Sequence, residues 1–326
     1  MMNILPLKKR GLNTSRLVLG CMPFGGGWNS DPVTKEDETQ AQKAVEAALS
    51  IGISMFDHAD IYTRGKAEET FGRILKNKPG LREEMVIQSK CGIRFAEGDV
   101  PGRYDFSKAY IGEAVDGILR RLGTEYLDVL LLHRPDPLME PEEVAEAFGR
   151  LKAAGKVRYF GVSNMSAAQI RFLQRALPDQ LAVNQLEMSL ARHDWLDQGV
   201  HVNQKAGTSV NFSEGLLEYC QMENIQIQAW GPLAQGKFSG NLGESEPEHI
   251  RKTAELVGKL ADEKETTREA IVLGWLMRHP AMIQPVIGTA NAERIAACKD
   301  AERQAELMTR EEWYSLYVSA RGSFLP

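Results

Sequence analysis

Long apolar runs are missing from this 326-residue sequence, and none approaches the roughly 18 residues that a membrane-spanning helix needs. The opening segment, MMNILPLKKR, contains neither an apolar core nor a small-residue cleavage site, so no secretory signal is predicted. Cysteine is scarce: Cys21, Cys91, Cys220 and Cys298 are scattered and form no CxxC pair. We therefore expect reduced thiols and a cytoplasmic location.

An excess of charge of either sign is also missing. The chain carries 39 Lys and Arg against 44 Asp and Glu, a formal net charge of -5. No basic surface is expected, which argues against nucleic acid or an anionic membrane as a partner. The sequence contains no clear heptad, internal repeat or low-complexity tract, and nothing in it indicates an oligomeric state.

What the sequence does contain is an alternation of short apolar, β-branched runs with longer helical patterns. Several runs, such as YLDVLLLH, are apolar on both faces, which is typical of parallel strands covered by helices. The predicted strands are Arg16–Gly20, Ser54–Asp57, Met85–Lys90, Tyr126–His133, Val157–Ser163, Leu181–Gln185, Ile225–Trp230 and Ile283–Gly288.

The helical patterns between these runs have start and stop signals. Thr34 and Ser107 are expected to cap two helices, which end at Gly52 and Gly123. Further helices are predicted over Glu140–Ala154, over Ser166–Ala176 and in the tail after Met308. Eight strands alternating with helices predict a single (β/α)8 barrel over residues 1–326, with a C-terminal helix. An open doubly wound sheet is the alternative, but no GxGxxG follows the first strand.

Two stretches are predicted to be long loops on the catalytic face of the barrel, Met188–Asn211 and Pro232–Glu248. Loops of this length in a compact domain are usually functional. We expect the first loop, with Phe24, Trp28 and Trp195, to border a substrate pocket.

The informative pattern is how the predicted strands end. Parallel strands in a closed barrel bring their carboxyl ends to one mouth, where such enzymes place their sites. Each residue alone has an ordinary structural explanation, such as a helix cap or a buried aromatic, but together they would surround one cavity. The strand-end residues are Gly20, Asp57, Lys90, His133, Ser163, Asn164, Gln185, Trp230 and Gly288.

Asp57, Tyr62, Lys90 and His133 have the chemistry of a proton-donor site for carbonyl reduction. The unperturbed pKa of a tyrosine is about 10, and a neighbouring Lys90 ammonium is expected to lower it. Asp57 is expected to hold Lys90 charged and in place, and His133 to donate to the substrate oxygen. None of these groups can supply a hydride, so a cofactor must do so.

A zinc hydrolase is a different interpretation of the same region. His58 and Asp60 follow the second strand and His133 ends the fourth, and barrel hydrolases bind zinc through such residues. Lys90 would place a cation in the same mouth, which disfavours a metal, and no metal site is predicted.

The segments FDHADIY, VIQSKCGI, YLDVLLLHRPD, FGVSN, NQLE, AWGPL and PVIGTANAERI occur in order between about Leu19 and Ile295. In this order they resemble the aldo/keto reductase superfamily, and the SKCGI and HRPDP versions resemble a bacterial oxidoreductase branch of it. The resemblance implies a (β/α)8 barrel that binds NADPH across its mouth and reduces aldehydes or ketones, with Tyr62 as general acid. It implies that the cofactor-binding residues are Cys21, Met22, Asp57, Ser163, Asn164, Gln185, Trp230, Gly231, Pro232, Leu233, Gly288, Thr289 and Arg294.

Within that resemblance, Arg294 and Thr289 would bind the 2'-phosphate that distinguishes NADPH from NADH, since a guanidinium suits phosphate oxygens. Glu293 beside Arg294 keeps NADH as the less favoured alternative. The sequence departs from the family pattern at Cys21, His58, Ala297 and Cys298, and the last two stand where an acid-amide pair commonly holds adenine. A slow, cofactor-binding regulatory member of the same fold is the alternative to an enzyme, and nothing in the sequence identifies the substrate.

Overall fold

A computed structural model describes residues 4–326. Eight strands in this range form a closed parallel barrel in the order β1-β10-β9-β8-β7-β6-β3-β2, and β4 and β5 form a separate antiparallel hairpin. The strands are β1 (Val18–Gly20), β2 (Met55–Asp57), β3 (Val86–Cys91), β4 (Ile93–Arg94), β5 (Arg103–Tyr104), β6 (Leu127–Leu132), β7 (Val157–Ser163), β8 (Val183–Glu187), β9 (Gln226–Trp230) and β10 (Gln284–Ile287). The predicted (β/α)8 barrel is confirmed. Both ends of each predicted barrel strand lie within two residues of the ends of an observed strand.

Helices cover the outside of the barrel, and no helix in residues 4–326 is both long enough and apolar enough to cross a membrane. A C-terminal helix follows the last barrel strand, as predicted. The helices are α1 (Pro6–Lys9), α2 (Lys35–Ser50), α3 (Lys66–Asn77), α4 (Lys108–Leu122), α5 (Pro141–Ala153), α6 (Ala167–Gln174), α7 (Asp194–Val200), α8 (Leu216–Met222), α9 (Glu248–Glu263), α10 (Arg268–Met277), α11 (Ala292–Ala296), α12 (Ala301–Leu307) and α13 (Arg310–Arg321).

The predicted helix caps have the expected geometry. The Thr34 side chain accepts a hydrogen bond from the backbone of Asp37, whose carboxylate accepts one from the Thr34 backbone in return. The Ser107 side chain accepts a hydrogen bond from the Tyr110 backbone at the start of α4, and Gly123 ends that helix with a φ of 64°, a left-handed conformation that glycine adopts without steric cost. Local sequence therefore determines where these two helices begin and where α4 ends.

The barrel interior is apolar at the bottom and polar towards the mouth. Leu7 of α1 and Leu12 pack beneath the barrel against inward-facing strand residues such as Val18 and Met55. Above this layer lie three fully buried glutamines, one each on β3, β9 and β10. Their side-chain amides bond in series: Gln88 donates to Gln228 at 2.9 Å, and Gln228 donates to Gln284 at 3.0 Å. We call Gln88, Gln228 and Gln284 the glutamine layer.

The segment Met188–Asn211 is not the open loop that the sequence suggested. It contains α7 and a 3-10 turn over Lys205–Ser209. Trp195 is only 2% exposed, and its ring lies 5.6 Å from that of Trp275 on α10. Asp197 of α7 accepts a hydrogen bond from Tyr317 on α13, so the segment is tied to the C-terminal helix.

Candidate active site

A cavity of about 750 Å³ opens at the carboxyl-terminal mouth of the barrel. Residues that end the barrel strands, or follow them, form its wall. The loop after β9, Pro232–Glu248, crosses the mouth and contains a 3-10 turn over Ala234–Gly236. The barrel brings most of the predicted site residues to this wall: Met22, Trp28, Asp57, Tyr62, His133, Ser163, Asn164, Gln185, Trp230, Gly231, Pro232, Leu233, Gly288, Thr289 and Arg294.

Lys90 lies just behind the cavity wall and is fully buried. Its ammonium group donates to Asp57 Oδ2 at 2.7 Å, to the His58 carbonyl at 2.9 Å and to Tyr62 Oη at 2.9 Å. A lysine ammonium has three hydrogen-bond donors, and all three are used here. Since Lys90 donates to the Tyr62 oxygen, the phenolic proton of Tyr62 is free to point elsewhere, towards a ligand in the cavity.

A strained turn holds Tyr62 in this position. The next three residues, Thr63, Arg64 and Gly65, have φ values of 46°, 61° and 88°. These values lie in the left-handed region, which residues other than glycine rarely adopt. The Thr63 hydroxyl donates to the Phe24 carbonyl at 2.8 Å, which fixes the turn against the loop after β1. Surrounding contacts therefore maintain the strain, as is common at functional sites.

The charges around Tyr62 differ in one respect from the sequence prediction. Burial acts to lower the pKa of Lys90, but the Asp57 carboxylate and Tyr62 outweigh it and raise that pKa, so the ammonium is retained. Burial raises the pKa of Tyr62, and the opposing effect of Lys90 does not cancel it. The expected lowering of the Tyr62 pKa is therefore wrong for the protein alone, because burial outweighs the effect of Lys90 and Asp57 opposes that effect as well.

His133 completes the group at the end of β6. Its ring meets the Tyr62 ring edge to face at a centroid distance of 5.9 Å. Burial, with Lys90 and Arg134 nearby, holds the pKa of His133 well below its usual range, so the imidazole is neutral at physiological pH. Its Nδ1 is buried and has no hydrogen-bond partner within residues 4–326. A neutral imidazole has one N–H and can donate it to a ligand oxygen.

Polar side chains at the ends of β7 and β8 line the cavity floor. Asn164 has a φ of 58°, and its amide donates to Ser163 Oγ at 2.8 Å while accepting from Trp230 Nε1 at 3.1 Å. Gln185 donates to Asp57 Oδ1 at 3.2 Å, and its own Oε1 accepts nothing from the described part of the chain. The Gln185 oxygen can therefore accept a hydrogen bond from a ligand amide.

The opposite end of the cavity is formed by β10, α11 and the start of α10. Asn291 caps α11 and positions the backbone at Arg294, as the predicted short helix requires. Arg294 and Thr289 line this end together with Glu269 of α10. Both Arg294 and Glu269 carry a charge with no ion-pair partner among residues 4–326.

Besides Lys90, three predicted residues do not line the cavity. Cys21 is fully buried, and its thiol points to the Leu19 carbonyl. Phe24 is 1% exposed and contributes its backbone carbonyl to the Tyr62 turn rather than its ring to a pocket. Trp195 is 2% exposed because its ring packs against Trp275 of α10 and against His279, so the prediction that it borders the substrate pocket is wrong.

Other cavity residues were not identified from the sequence. Arg134 follows His133 and could have been found from its position at a strand end. The loop after β9 was predicted to be functional, but its individual lining residues and the one from α10 were not identified, because their placement depends on how the loop folds over the mouth. This second set comprises Ala234, Gln235, Gly236, Ser239, Gly240, Asn241 and Glu269.

The residues considered for zinc do not form a ligand set. His58 is fully buried, and its ring packs against Phe71 at a centroid distance of 4.6 Å. Asp60 accepts a hydrogen bond from Tyr110, on the side of the β4–β5 hairpin. Within the described range, no three His, Cys, Asp or Glu side chains cluster as metal ligands would.

Comparison with known proteins agrees with the fold. The sequence profile of the Aldo/keto reductase family matches residues 16–314. A 6-dehydroglucose reductase of Agrobacterium fabrum is 37% identical over 317 residues, which cover 95% of this chain and 96% of that protein. An uncharacterized oxidoreductase of Bacillus subtilis is 37% identical over 288 residues, 86% of this chain and 88% of that one.

Solved structures with the same fold are also similar to this protein. The aldo-keto reductase of Klebsiella pneumoniae in complex with NADPH is 26% identical and superposes with a TM-score of 0.70, covering 93% of this chain and 90% of that one. A glycerol dehydrogenase of Gluconobacter oxydans, 22% identical with a TM-score of 0.77, shares the fold over 97% of this chain and 95% of its own. The family profile and the full-length relatives confirm the resemblance seen in the motifs: the chain belongs to the aldo/keto reductase family.

Proposed function

We propose that this protein reduces aldehydes or ketones to alcohols with NADPH, and that Tyr62 is the general acid. The observation that carries the proposal is the position of the Lys90 ammonium, within 2.9 Å of both Asp57 Oδ2 and Tyr62 Oη. This arrangement places a phenol, a buried cation and its counter-ion at the wall of one cavity. It suits a reaction in which an oxygen gains negative charge and then a proton.

The side chains divide the work as follows. When NADPH is bound, its nicotinamide supplies the hydride that no side chain here can supply. Tyr62 donates its proton to the substrate oxygen, and Lys90 stabilises the phenolate that remains. Asp57 keeps Lys90 charged, and the neutral His133 ring donates a hydrogen bond that orients the same oxygen.

The cavity fits an extended dinucleotide in its size and in the order of its polar groups. Asn164 and Gln185 offer amide groups near Tyr62 for a carboxamide, and Trp230 offers an aromatic face for a ring. Thr289 and Arg294 lie at the other end, where a hydroxyl and a guanidinium suit the 2'-phosphate. The NADPH complex of the Klebsiella pneumoniae relative supports the same cofactor.

Steady-state oxidation of NADPH with a panel of aldehydes and ketones tests the proposal. The panel includes hydroxylated aldehydes, because two relatives that are 37% and 35% identical are named 6-dehydroglucose reductases. We expect turnover dependent on both NADPH and a carbonyl compound. Tight NADPH binding without turnover on any member of the panel would instead support the slow regulatory alternative.

A further inference from the structure

Arg134 is a cavity-lining cation that has no ion-pair partner among residues 4–326. It follows His133 at the end of β6 and lines the cavity. No carboxylate, carbonyl or side-chain oxygen within residues 4–326 accepts a hydrogen bond from its guanidinium, whose carbon lies 5.8 Å from the Trp230 ring centroid. Most other partly buried arginines of this protein are paired, such as Arg82 with Asp128 and Arg121 with Glu68.

The backbone on both sides of Arg134 is fixed. The His133 amide donates to the Cys91 carbonyl at 2.9 Å, which continues the barrel register for one residue past β6. Pro135 restricts the conformation of Arg134 itself. The Asp136 carboxylate then accepts from the backbone amides of Phe106 and Leu138, at 2.9 Å each. A rigid element therefore presents the guanidinium, so little backbone order is lost when a ligand binds.

The neighbouring groups do not neutralise this charge. Lys90 and Asp57 cancel each other as an ion pair, and His133 is neutral. The segments that follow β1, β2 and β3 add apolar residues to the cavity wall, among them Met22, Trp28, Ile61 and Ile93 of β4. One unpaired guanidinium in an apolar wall suits a ligand that has an apolar body and a single anionic group.

We propose that Arg134 is a specificity-determining residue that binds a carboxylate of the substrate. The preferred substrates are then oxo acids, which are aldehydes or ketones that bear a carboxylate on an apolar or aromatic framework. This inference rests on the proposed reductase function and names its substrate class. The guanidinium holds the carboxylate in a two-pronged hydrogen bond while the carbonyl oxygen lies at Tyr62.

A matched pair of aldehydes tests the inference. 4-Carboxybenzaldehyde and methyl 4-formylbenzoate share the ring and the reacting carbonyl, and the ester carries a neutral group in place of the carboxylate. We expect the wild type to favour the acid by at least about tenfold in kcat/KM, a difference of about 1.4 kcal/mol. Arg134→Met should remove this preference for the acid by raising the KM for the acid. Arg134→Lys should retain part of the preference.

Two controls separate recognition from other effects. Arg175 is exposed and unpaired among the described residues, so Arg175→Met removes the same charge far from the cavity and should leave the ratio unchanged. The Kd for NADPH should be the same in the wild type and Arg134→Met. A loss of NADPH affinity in Arg134→Met, with an unchanged ratio between the aldehydes, would assign Arg134 to the cofactor and overturn the inference.

A binding measurement tests Arg134 without turnover. Benzoate should quench the tryptophan fluorescence of the NADP-bound protein with a lower Kd than benzamide, and Arg134→Met should remove that difference. Equal Kd values in the wild type would contradict the inference even if aldehydes are reduced. Absence of turnover on all aldehydes, with the benzoate preference intact, would overturn the proposed function but support Arg134 as the anion-binding residue.

Discussion

Gln88 Nε2 lies 2.6 Å from Asp57 Oδ1, the carboxylate oxygen that Lys90 does not contact. Asp57 therefore has two kinds of support: a cation at Oδ2, and neutral amides from Gln88 and Gln185 at Oδ1. Gln88 in turn belongs to the glutamine layer, which continues through Gln284 to Thr14 beneath the barrel. A chain of buried hydrogen bonds thus connects the proposed proton-donor site to the floor of the barrel.

Replacing Gln88 tests whether this layer positions Asp57. Gln88→Met keeps the volume but removes the shorter amide bond to Asp57, and hydrogen bonds to charged groups contribute about 1.5–3 kcal/mol. We expect kcat to fall about tenfold, with the Kd for NADPH nearly unchanged. Gln284→Met is the matched control, because Gln284 belongs to the same layer but is separated from Asp57 by Gln88 and Gln228. This variant should reduce the thermal stability while sparing kcat. Equal losses of kcat in the two variants would contradict a positioning role.

Cofactor preference is predicted to depend on Arg294. Its guanidinium has no partner in the described chain, and phosphate oxygens are suitable acceptors for it. We expect NADPH to bind at least tenfold more tightly than NADH, measured by quenching of tryptophan fluorescence. Arg294→Ala should weaken NADPH binding, spare NADH binding and so remove most of that difference, whereas Arg175→Ala should not. The assignment fails if the wild type binds the two cofactors equally.

Asp60 predicts a pH dependence of stability. Burial, with Glu68 nearby, raises the pKa of Asp60 from 3.8 to about 7. Since the unfolded chain releases this proton near pH 3.8, the contribution of Asp60 to stability is lost as the pH rises from there through about 7. We expect the change in melting temperature caused by Asp60→Asn to be more positive at pH 8 than at pH 4, by at least about 2 °C.

The control for Asp60 is an exposed aspartate with no partner among residues 4–326. Asp99 meets this description, and Asp99→Asn should show no comparable difference between the two pH values. If Asp60→Asn and the wild type have the same melting temperature at every pH, the Asp60 carboxylate does not destabilise the protein as the pH rises.

Carbonyl reduction should survive exhaustive dialysis against a chelator. The expectation rests on the geometry of His58 and Asp60, which face Phe71 and Tyr110 respectively. Activity that disappears with the chelator and returns with zinc would support the hydrolase interpretation of His58, Asp60 and His133. Metal analysis of the purified protein provides an independent check.

The sequence predicted the barrel and much of the cavity wall because both depend on local patterns. Strand lengths, helix caps such as Thr34, and the order of strand-end residues are all readable along the chain. In a closed parallel barrel, a residue at a strand end must lie near the mouth. Asp57, His133 and Gln185 therefore reach one cavity, although they are far apart in sequence.

The errors concern features that depend on packing between distant elements. Trp195 was expected at the cavity, but whether its ring faces outward or inward depends on Trp275 and α13. The glutamine layer was missed because strands buried on both faces show no alternation that separates the inside from the outside. The pKa of Tyr62 was predicted with the wrong sign because the extent of its burial was not readable from the sequence.

The kcat of Tyr62→Phe is the most direct test of the account. The substitution removes the phenolic hydroxyl but keeps the ring that packs against His133. General acid catalysis commonly contributes about 10²–10⁴-fold, so we expect kcat for carbonyl reduction to fall by at least about 10²-fold. The Kd for NADPH should change by less than about twofold. If, under conditions where the chemical step limits turnover, Tyr62→Phe retains more than about half of the wild-type kcat, Tyr62 is not the general acid.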